Sequence, residues 1–316
     1  MIEKQKLRIV FMGTPDFAVP SLNILIENGY DVCAVITAPD KPAGRGKKLQ
    51  SSPVKKAAEA HDIPVLQPTN LKSPEFNREL SALGANLFIV VAFRMLPEMV
   101  WNMPEIGTFN LHASLLPDYR GAAPINWAII NGEKETGAST FFLKHEIDTG
   151  DILLQSKLPI TDGMTAGELH DRLMIDGAEL VLETVKGIET NSLTPQAQVI
   201  SGEPKHAPKI FKEDMIIDWD QETKSVNDFI RGLSPYPCAQ ALINEKYFKI
   251  PGARISERTD ITDPGTIWSD GKQKLEIATK DGWIEVLEIQ APGKKRMSTL
   301  DFLNGNGLSL LEPPLL

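Results

Sequence analysis

Residues 109–117 read FNLHASLLP, an apolar strand pattern that ends in polar groups suited to proton transfer. Asn110 and His112 are two residues apart, so on an extended strand their side chains point to the same face. The amide of Asn110 can donate a hydrogen bond, and the imidazole of His112 can carry a proton near neutral pH. Because open α/β sheets bind ligands at the carboxyl ends of their strands, this pair predicts a functional site rather than a core histidine bonded to backbone.

Downstream of this strand, residues 145–150 read HEIDTG and place a carboxylate in a short polar loop. Asp148 is the candidate, although Asp-Thr-Gly is also ordinary turn chemistry. His145 is assigned to the same loop without a chemical role. An amide, an imidazole and a carboxylate together suit acyl or formyl transfer to an amine, because one group stabilises the developing oxyanion while the others move protons.

Strand and helix signals alternate through the first 190 residues. Apolar runs predict strands at 7–12, 31–37, 86–93, 108–112 and 138–143. Helix starts are predicted at Asp16, at Ser52, at Ser73, near Ala122 and at Thr165, where Glu168 completes a capping box. This alternation indicates an α/β domain over residues 1–190, with a doubly wound, Rossmann-like, mostly parallel sheet.

The composition changes after the last predicted helix of this domain. Residues 191–208 are polar and contain proline, which is typical of an exposed linker between domains. From 209 to 316, short β-rich runs dominate, with hairpin-type turns at Asp270-Gly271 and Asp281-Gly282 and one helix at about 223–232. The sequence therefore predicts a second domain, 209–316, built as a small β-barrel.

Charge and composition exclude some function classes. The 316 residues are 42% hydrophobic and 24% charged, as in an ordinary soluble globular protein, and the net charge is −9. The longest apolar run, 87–93, is too short to span a membrane, and no cleavable signal pattern precedes the first strand, so we expect a cytoplasmic protein. The two cysteines, Cys33 and Cys238, show no metal-ligand spacing, which indicates reduced thiols.

Basic residues are concentrated locally despite the negative net charge. Lys41, Arg45, Lys47 and Lys48 fall in one proline- and glycine-containing stretch without apolar periodicity, which predicts a mobile surface loop. Further basic clusters lie at 205–212 and 294–296. Contact with phosphates needs a basic surface rather than a basic protein, so each cluster is either a nucleic-acid contact or an ordinary solvated surface.

The loop after the first predicted strand, GTPDF at residues 13–17, occupies the place of a dinucleotide-binding loop. It lacks the second and third glycines that let a backbone approach a pyrophosphate. A nucleotide-dependent oxidoreductase is therefore disfavoured.

Five motifs in the right order resemble the N10-formyltetrahydrofolate-dependent formyltransferases. They are FNLHASLLP, RGAAP from Arg120, DTGD from Asp148, MGTPDFA from Met12 and PDKPAGRGKK from Pro39. The last two are similar to the branch of that family that formylates methionyl-initiator tRNA. The resemblance covers nearly the whole chain and implies 10-formyltetrahydrofolate as formyl donor, initiator tRNA as partner, no metal, and an OB-like fold for the β-barrel domain. We also expect a monomer without a membrane partner.

The same resemblance implies roles for particular residues. Asn110, His112 and Asp148 are the expected catalytic groups. The folate is expected to contact Phe93, Arg94, Met95, Leu96, Ser114, Leu115, Leu116 and Pro117. The expected tRNA contacts are Lys41, Arg45, Lys47, Lys48 and Lys209, and Arg45 is the best single candidate because a planar guanidinium suits phosphates and base edges. The loop at 93–97 is one residue shorter than in many members of that branch and is closer to the loop of glycinamide ribonucleotide formyltransferases.

Three other activities stay open on the sequence. A formyltransferase acting on a small amine, such as a nucleotide sugar or glycinamide ribonucleotide, needs the same three groups but neither the basic loop nor a β-rich second domain. A hydrolase of formyl-folate releases formate without an amine acceptor. A non-enzymatic RNA-binding protein tolerates the loss of all three groups together.

Overall fold

The structure is a computed structural model of the chain, and it describes residues 6–43, 48–200, 202–305 and 307–311. These residues divide into two compact units, each built from separate segments of the sequence. The first unit takes the described residues of 1–121, 137–158 and 170–205. The second takes those of 122–136, 159–169 and 206–316.

The described strands, in chain order, are β1 (Arg8–Gly13), β2 (Asp31–Ile36), β3 (Lys41–Ala43), β4 (Lys48–Gln50), β5 (Val65–Leu66), β6 (Leu87–Val91), β7 (Gly107–His112), β8 (Arg120–Gly121), β9 (Glu135–Phe142), β10 (Ile152–Pro159), β11 (His206–Ala207), β12 (Ala239–Ile243), β13 (Lys246–Ile255), β14 (Ile267–Ser269), β15 (Leu275–Ala278), β16 (Trp283–Gln290) and β17 (Met297–Ser298).

The described α-helices are α1 (Val19–Glu27), α2 (Pro53–Ala60), α3 (Pro74–Ala82), α4 (Glu98–Trp101), α5 (Pro124–Ile130), α6 (Ala166–Glu189), α7 (Thr223–Gly232) and α8 (Thr299–Asn304). Short 3-10 turns lie at Asp16–Ala18, Glu213–Met215 and Gly307–Leu310.

Seven of the described strands form one sheet in the order β10-β9-β7-β6-β1-β2-β5. β1 pairs in parallel with both β2 and β6, β6 pairs in parallel with β7, and β7 pairs antiparallel with β9. The predicted doubly wound, mostly parallel sheet is thereby confirmed. The chain winds from β1 towards one edge and from β6 towards the other. A reversal of this kind leaves a crevice at the carboxyl ends of the central strands, where α/β proteins bind ligands.

The central strands are buried on both faces. All five residues of β6 are buried, as are five of the six residues of β1. Phe76 and Leu80 of α3 belong to the same apolar cluster as Phe88 of β6. Each such side chain contributes about 1.5–3 kcal/mol when it is fully buried. Burial on both faces explains why these strands read as continuous apolar runs in the sequence.

Two of the predicted helix starts have the expected side-chain caps. Ser52 Oγ accepts the N–H of Lys55 at 3.0 Å at the start of α2. Before α6, the Thr165 N–H donates to Glu168 at 2.8 Å, and the Glu168 N–H donates to the Thr165 hydroxyl at 3.3 Å. The prediction that Asp16 caps α1 is wrong. Asp16 opens a 3-10 turn instead, and α1 begins at Val19 without a side-chain cap.

Three features near the sheet differ from the predictions in detail. The strand predicted at 138–143 exists as β9 but runs antiparallel to β7. β10 was not predicted, because its buried and exposed residues alternate and its sequence contains polar residues. The predicted mobile loop at 41–48 contains two short strands, β3 and β4, which pair Lys41 with Gln50 and Pro42 with Leu49. Residues 44–47 between them lie outside the described residues.

The second unit contains an antiparallel sheet in the order β12-β13-β16-β15-β14, with β17 beside β16, which curls into a half-barrel. Helix α7 contributes Val226 and Ile230 to its apolar core, where they join Phe248. The turns predicted at Asp270 and Asp281 link β14 to β15 and β15 to β16. Three backbone N–H groups that donate to Asp270 lower the pKa of its carboxyl, which stabilises the first turn.

Residues 122–136 and 159–169 belong to the second unit although they precede residue 190. Asn126 of α5 donates to the carbonyl of Gly232 at 2.7 Å. Arg231 of α7 donates to the carbonyl of Met164 at 2.8 Å and to Asp228 at 2.8 Å. The predicted division at 190 and 209 stays a prediction.

Neither cysteine is in a disulfide. Cys33 is half-buried and its thiol donates to the carbonyl of Ile9 at 3.3 Å, whereas Cys238 is buried. Burial raises the pKa of both thiols, so neither has the character of a reactive thiolate. In the part of the chain that the structure describes, no helix is long and apolar enough to cross a membrane.

Candidate active site

Strand β7 carries the Asn-x-His pair to the carboxyl edge of the first sheet. Val90 of β6 lies opposite Asn110, and Ser139 of β9 lies opposite His112. Asn110 is half-buried, whereas His112 is only 7% exposed. The strand ends at His112, so both side chains lie where the sequence predicted a site.

The imidazole of His112 is oriented by two neighbours. Its Nε2 lies 2.8 Å from the carbonyl oxygen of Tyr119, which can only accept, so Nε2 carries the proton and donates. Its Nδ1 lies 4.0 Å from Oδ2 of Asp148, which is beyond hydrogen-bond length but within ion-pair distance once the ring is protonated. Nδ1 is therefore the ring atom left to exchange a proton with a substrate.

Asp148 lies in a tight turn. Its φ of +55° falls in the left-handed region, which residues other than glycine, asparagine and aspartate rarely adopt. Its Oδ2 accepts the N–H of Gly121 at 3.1 Å. Two residues further on, a Cβ at Gly150 would lie 1.6 Å from the carbonyl oxygen of Phe142, so only glycine fits there. This turn holds the carboxylate beside His112.

The amide of Asn110 forms no hydrogen bond with another side chain or carbonyl within the described ranges. A half-buried donor usually has a partner, because leaving it unsatisfied costs free energy. Its place at the strand end, beside His112, makes this amide available to an oxygen of a bound substrate.

The turn that follows β7 is held by two polar side chains. Ser139 Oγ donates to the carbonyl of Ser114 at 2.6 Å and accepts the N–H of Leu116 at 3.1 Å. Gln155 Nε2 donates to Ser139 Oγ at 2.8 Å and to the carbonyl of Leu116 at 3.1 Å. The turn is therefore a fixed wall next to His112.

The residues predicted to contact folate differ in exposure. Arg94 and Met95 are exposed, Phe93, Leu115 and Pro117 are half-buried, and Leu96, Ser114 and Leu116 are buried. Phe93 and Arg94 line a largely apolar cavity of about 600 Å³. The rest of its lining comes from the segments after β1, β2, β5 and β6 and from the first residue of β3, and it includes Thr14, Ala38 and Lys41. The cavity thus lies at the carboxyl ends of the strands where the winding direction reverses.

Arg94 is fixed against the wall of this cavity. Its guanidinium donates to the carbonyls of Pro68 and Thr69 and lies 5.6 Å from the ring centroid of Phe93. The side chain therefore keeps its charge at the rim while its bonds hold the loop after β6 to the loop after β5.

The predicted tRNA contacts belong to both units, and two of them lie outside the described residues. Lys41 is exposed at the start of β3 and lines the cavity. Lys48 begins β4, while Arg45 and Lys47 lie outside the described residues. Lys209 is exposed in the second unit, where its Nζ lies 5.2 Å from the ring centroid of Phe211.

A polar cluster fixes the chain just before the β3–β4 hairpin. Lys55 Nζ donates to Oδ2 of Asp40 at 2.7 Å, and Gln67 Nε2 donates to Oδ1 of Asp40 at 2.8 Å. Gln67 also donates to the carbonyl of Ala38 at 2.8 Å. The bonds from Lys55 and then Gln67 lower the pKa of the Asp40 carboxyl, so it stays ionised and the hairpin keeps a defined starting point.

Sequence reasoning missed the groups that orient the catalytic candidates. These are the carbonyl of Tyr119, the N–H of Gly121 and the side chain of Gln198, whose Nε2 donates to the carbonyls of Asp148 and Gly150. Backbone groups carry no sequence signal. Gln198 lies in a segment with no periodicity, so nothing in the sequence linked it to Asp148.

The arrangement can stabilise an oxyanion through Asn110 and can move a proton through His112 and Asp148. No group of three or more His, Cys, Asp or Glu side chains placed to hold a metal ion occurs among the residues that the structure describes. A half-buried amide donor beside a buried imidazole and a carboxylate is a suitable set of catalytic groups for transfer of an acyl-type group to a nucleophile.

Comparison with known proteins identifies the class. A model of the formyl transferase family matches residues 7–185, and a model of the formyl transferase C-terminal domain matches residues 209–307. The chain belongs to the formyl transferase family.

Individual relatives are similar over nearly their whole length. A methionyl-tRNA formyltransferase of Bacteroides fragilis is 54% identical over 312 residues, which cover 96% of each chain. Another methionyl-tRNA formyltransferase, from Bacteroides thetaiotaomicron, is 53% identical over 98% of each chain. A third, from Porphyromonas gingivalis, is 47% identical over 98% of each chain.

Solved structures share the fold at lower identity. WlaRD, a sugar 3N-formyl transferase solved with dTDP and 5-N-formyl-THF, has a TM-score of 0.66 and 19% identity over 92% of this chain and 100% of its own. HypX from Aquifex aeolicus, solved with tetrahydrofolic acid, has a TM-score of 0.66 and 19% identity over 99% of this chain. The chain spans about half the length of HypX, 49%.

Proposed function

We propose that this enzyme transfers the formyl group of 10-formyltetrahydrofolate to the α-amine of methionine esterified to initiator tRNA, for translation initiation in the cytoplasm. Identity of 54% over 96% of a methionyl-tRNA formyltransferase carries the assignment. The site supports it independently, because the unpartnered amide of Asn110 lies on the same strand as His112, which faces Asp148. We propose a monomer as the working form.

In the reaction, the neutral amine attacks the formyl carbon, a C–N bond forms, and the formyl oxygen gains negative charge. Asn110 donates its amide N–H to this oxygen as the charge develops. The bond from the formyl carbon to N10 then breaks, and N10 takes up a proton while the attacking amine loses one. An aminoacyl ester amine is a weak base, so little base strength is required.

His112 and Asp148 divide the proton chemistry. The bond from Nε2 to the Tyr119 carbonyl fixes the ring, so Nδ1 is the atom that delivers a proton to N10. Oδ2 of Asp148, 4.0 Å away, stabilises the protonated ring and shares its charge with the N–H of Gly121. The second carboxylate oxygen is available to receive the amine proton, directly or through a water molecule.

We assign the folate to the segments predicted for it, Phe93–Leu96 and Ser114–Pro117. Three side chains offer apolar surface for a flat ring: Met95, which is 74% exposed, and the half-buried Leu115 and Pro117. Ser114 and Leu116 are buried and shape this wall through their bonds to neighbouring groups. The formyl group would then lie near Asn110, since the second segment begins two residues after His112.

We assign tRNA contacts to the β3–β4 hairpin and to the basic surface around Lys209. Lys41, Arg45, Lys47 and Lys48 give the hairpin a local positive charge in a chain of net charge −9. The proposed division is a catalytic domain at 1–190, a linker at 191–208 and an OB-like tRNA-binding domain at 209–316. Because α5 packs against α7, point substitutions test this division better than a chain shortened at residue 208.

The direct test incubates the full-length protein with 10-formyltetrahydrofolate and methionyl-initiator tRNA. We expect formyl-methionyl-tRNA to form only when both substrates are present. Formate released without tRNA would identify a formyl-folate hydrolase instead. Formylation of a dTDP-aminosugar in preference to methionyl-tRNA would favour a sugar N-formyltransferase, the activity named for the structural neighbour WlaRD.

The basic hairpin gives a second test. If Arg45 contacts a phosphate, Arg45→Ala should weaken tRNA binding and lower the slope of log affinity against log salt by about one unit, because one counterion-releasing contact is lost. Lys41→Ala should act in the same direction. For Arg45→Ala the affinity for formyl-folate should not change. Binding of methionyl-tRNA is measured at several salt concentrations for each variant.

Lys186→Ala is the matched control for charge removal. Lys186 is paired with Glu183 on α6 at 3.0 Å and is assigned no role in substrate binding. The salt dependence of tRNA affinity measured for Lys186→Ala should superimpose on that of the unchanged protein. If the line for Arg45→Ala superimposes as well, the hairpin is a solvated surface and not a tRNA contact.

A further inference from the structure

We propose that Gln198 is a positioning residue for formyl transfer, because it holds the turn that presents Asp148 to His112. The proposal deepens the proposed function and rests on it for its kinetic consequence. Gln198 lies in the segment after α6, which the sequence indicated only as a linker. Its side chain is half-buried, and all four of its side-chain hydrogen bonds go to the segments that contain the site.

The amide nitrogen of Gln198 donates hydrogen bonds to the turn itself. Nε2 donates to the carbonyl of Asp148 at 2.9 Å and to the carbonyl of Gly150 at 2.8 Å. The first carbonyl belongs to the peptide group between Asp148 and Thr149, and the second to the one between Gly150 and Asp151, so both protons of one amide are used to fix two peptide groups of the turn. A backbone held in this way cannot turn the Asp148 side chain away from His112 without breaking one of the bonds.

The side-chain carbonyl oxygen of Gln198 accepts hydrogen bonds from a second segment. Oε1 accepts from Nε of Arg120 at 3.2 Å and from its Nη2. The next residue along, Gly121, donates its N–H to Oδ2 of Asp148 at 3.1 Å. Gln198, Arg120, Gly121 and Asp148 therefore form a closed ring of contacts, in which Gln198 bonds both to the Asp148 turn and to the residue next to the Gly121 N–H that binds the carboxylate.

The segment that carries Gln198 is itself fixed to the first unit. Gln196 and Ile152 exchange two backbone hydrogen bonds of 2.8 Å each. Further along, the carbonyl of Lys205 accepts the N–H of Tyr119 at 2.6 Å. Tyr119 is the residue whose carbonyl accepts from His112. One segment thus supports the partners of both the imidazole and the carboxylate.

This support has a physical reason. Asp148 has φ +55°, a left-handed conformation that aspartate adopts more readily than most residues with a Cβ but that still marks a tight turn. The distance of 4.0 Å between Nδ1 of His112 and Asp148 leaves no direct hydrogen bond to hold the pair together. Their geometry therefore depends on bonds made elsewhere, and misplacement by about 1 Å can cost about a hundredfold in rate.

Gln198→Ala in the full-length protein tests the proposal. We expect the single-turnover rate of formyl transfer at saturating substrates to fall about 10- to 100-fold, since misplaced catalytic groups cost rates of this order. The dissociation constants for formyl-folate and for methionyl-tRNA should change less than about threefold, because Gln198 is not among the residues assigned to either substrate. The assay is run at a temperature where circular dichroism shows the variant folded.

Two further variants separate positioning from simple loss of contacts. Gln196→Ala is the matched control, since its side chain is exposed and only its backbone pairs with Ile152; it should retain the full rate. Gln198→Glu keeps the bond to Arg120 but cannot donate to the two carbonyls, so it should lose about as much rate as Gln198→Ala. Full activity of Gln198→Glu or of Gln198→Ala would overturn the proposal.

A double-mutant cycle with Asp148→Ala shows whether Gln198 acts through that carboxylate. If it does, Gln198→Ala in the Asp148→Ala background should lower the remaining rate by less than about twofold, because groups that act as a unit are not additive. Multiplication of the two losses would mean that Gln198 has a general structural role, and the proposal would be wrong.

Hydrogen exchange gives a readout that needs no activity. Gln198→Ala should speed exchange of the amides at 146–151 relative to Gln196→Ala, with exchange in β7 unchanged. If the unchanged protein makes no formyl-methionyl-tRNA, the proposed function fails, yet the exchange data still decide whether Gln198 holds the turn. Equal rates of amide exchange at 146–151 in Gln198→Ala and Gln196→Ala would show that Gln198 does not hold the turn.

Discussion

His112→Ala should lower kcat for formyl transfer by about 100- to 1000-fold, and Asn110→Ala should do so by a similar factor, since each removes a preorganised group at the developing charge. For His112 the loss has two sources. The proton donor to N10 is gone, and the carbonyl of Tyr119 loses the bond that it receives at 2.8 Å. The rate is measured by quench-flow with saturating formyl-folate and methionyl-tRNA.

The control for this prediction is His145→Ala. His145 lies in the same loop as Asp148, but its side chain is 87% exposed and its near neighbour is the exposed Glu98 at 3.7 Å. It should keep the full kcat. The dissociation constant for formyl-folate should stay within about threefold for all three variants, because none removes a residue assigned to the folate wall. A near-normal kcat for His112→Ala would rule out proton delivery to N10 by this imidazole.

The sequence predicted the central sheet because burial on both faces leaves a direct trace. Apart from the exposed Arg8 at the start of β1, the residues of β1 and β6 are apolar or glycine and are all buried. The strand β10 left no such trace, since Leu153 is its one buried residue and the others are half-buried or exposed. Asp16 was assigned as a helix cap from its residue type, yet Pro20 next to the start of α1 allows the helix to begin without one.

Within the candidate site, the sequence predicts contacts between residues that are close along the chain, but not contacts between residues that are far apart along it. Asn110 and His112 could be predicted to lie on one strand, and a spacing of two on a strand fixes one face. Asp148 was joined to them by resemblance alone, since 36 residues separate it from His112 and the contact depends on how the sheet folds. Its supports through Gly121 and Gln198 are side-chain-to-backbone bonds over 27 and 50 residues, which no local pattern indicates.

Local sequence patterns also could not predict which segments belong to which of the two units. α5 reads as an ordinary helix that follows a strand of the α/β domain. Its neighbour proves to be α7, about a hundred residues later, through Asn126 and Gly232, which lie 106 residues apart. Packing of this kind depends on tertiary contacts, which override what the order of elements suggests.

Gly150→Ala should abolish most activity, although it adds a single methyl group. A Cβ at this position would lie 1.6 Å from the carbonyl oxygen of Phe142 and 2.8 Å from its carbonyl carbon. Both atoms belong to the backbone of β9, so no change of rotamer relieves the overlap. The turn must move, and with it Asp148 two residues before. We expect a loss of at least about a hundredfold in kcat, as for a misplaced catalytic group.

The free energy of unfolding should fall as well, by about 1–3 kcal/mol, which is typical of overpacking. The matched control is Gly29→Ala, at the end of α1, where φ is +77° but no atom lies within 4 Å of the added Cβ. That variant should lose stability, by about 1 kcal/mol, through its conformation alone and should keep the full kcat. Stability is measured by urea denaturation and kcat at a temperature where both variants are folded. If Gly150→Ala kept near-normal kcat, the close packing of the Asp148 turn against β9 could not be what holds the carboxylate in place.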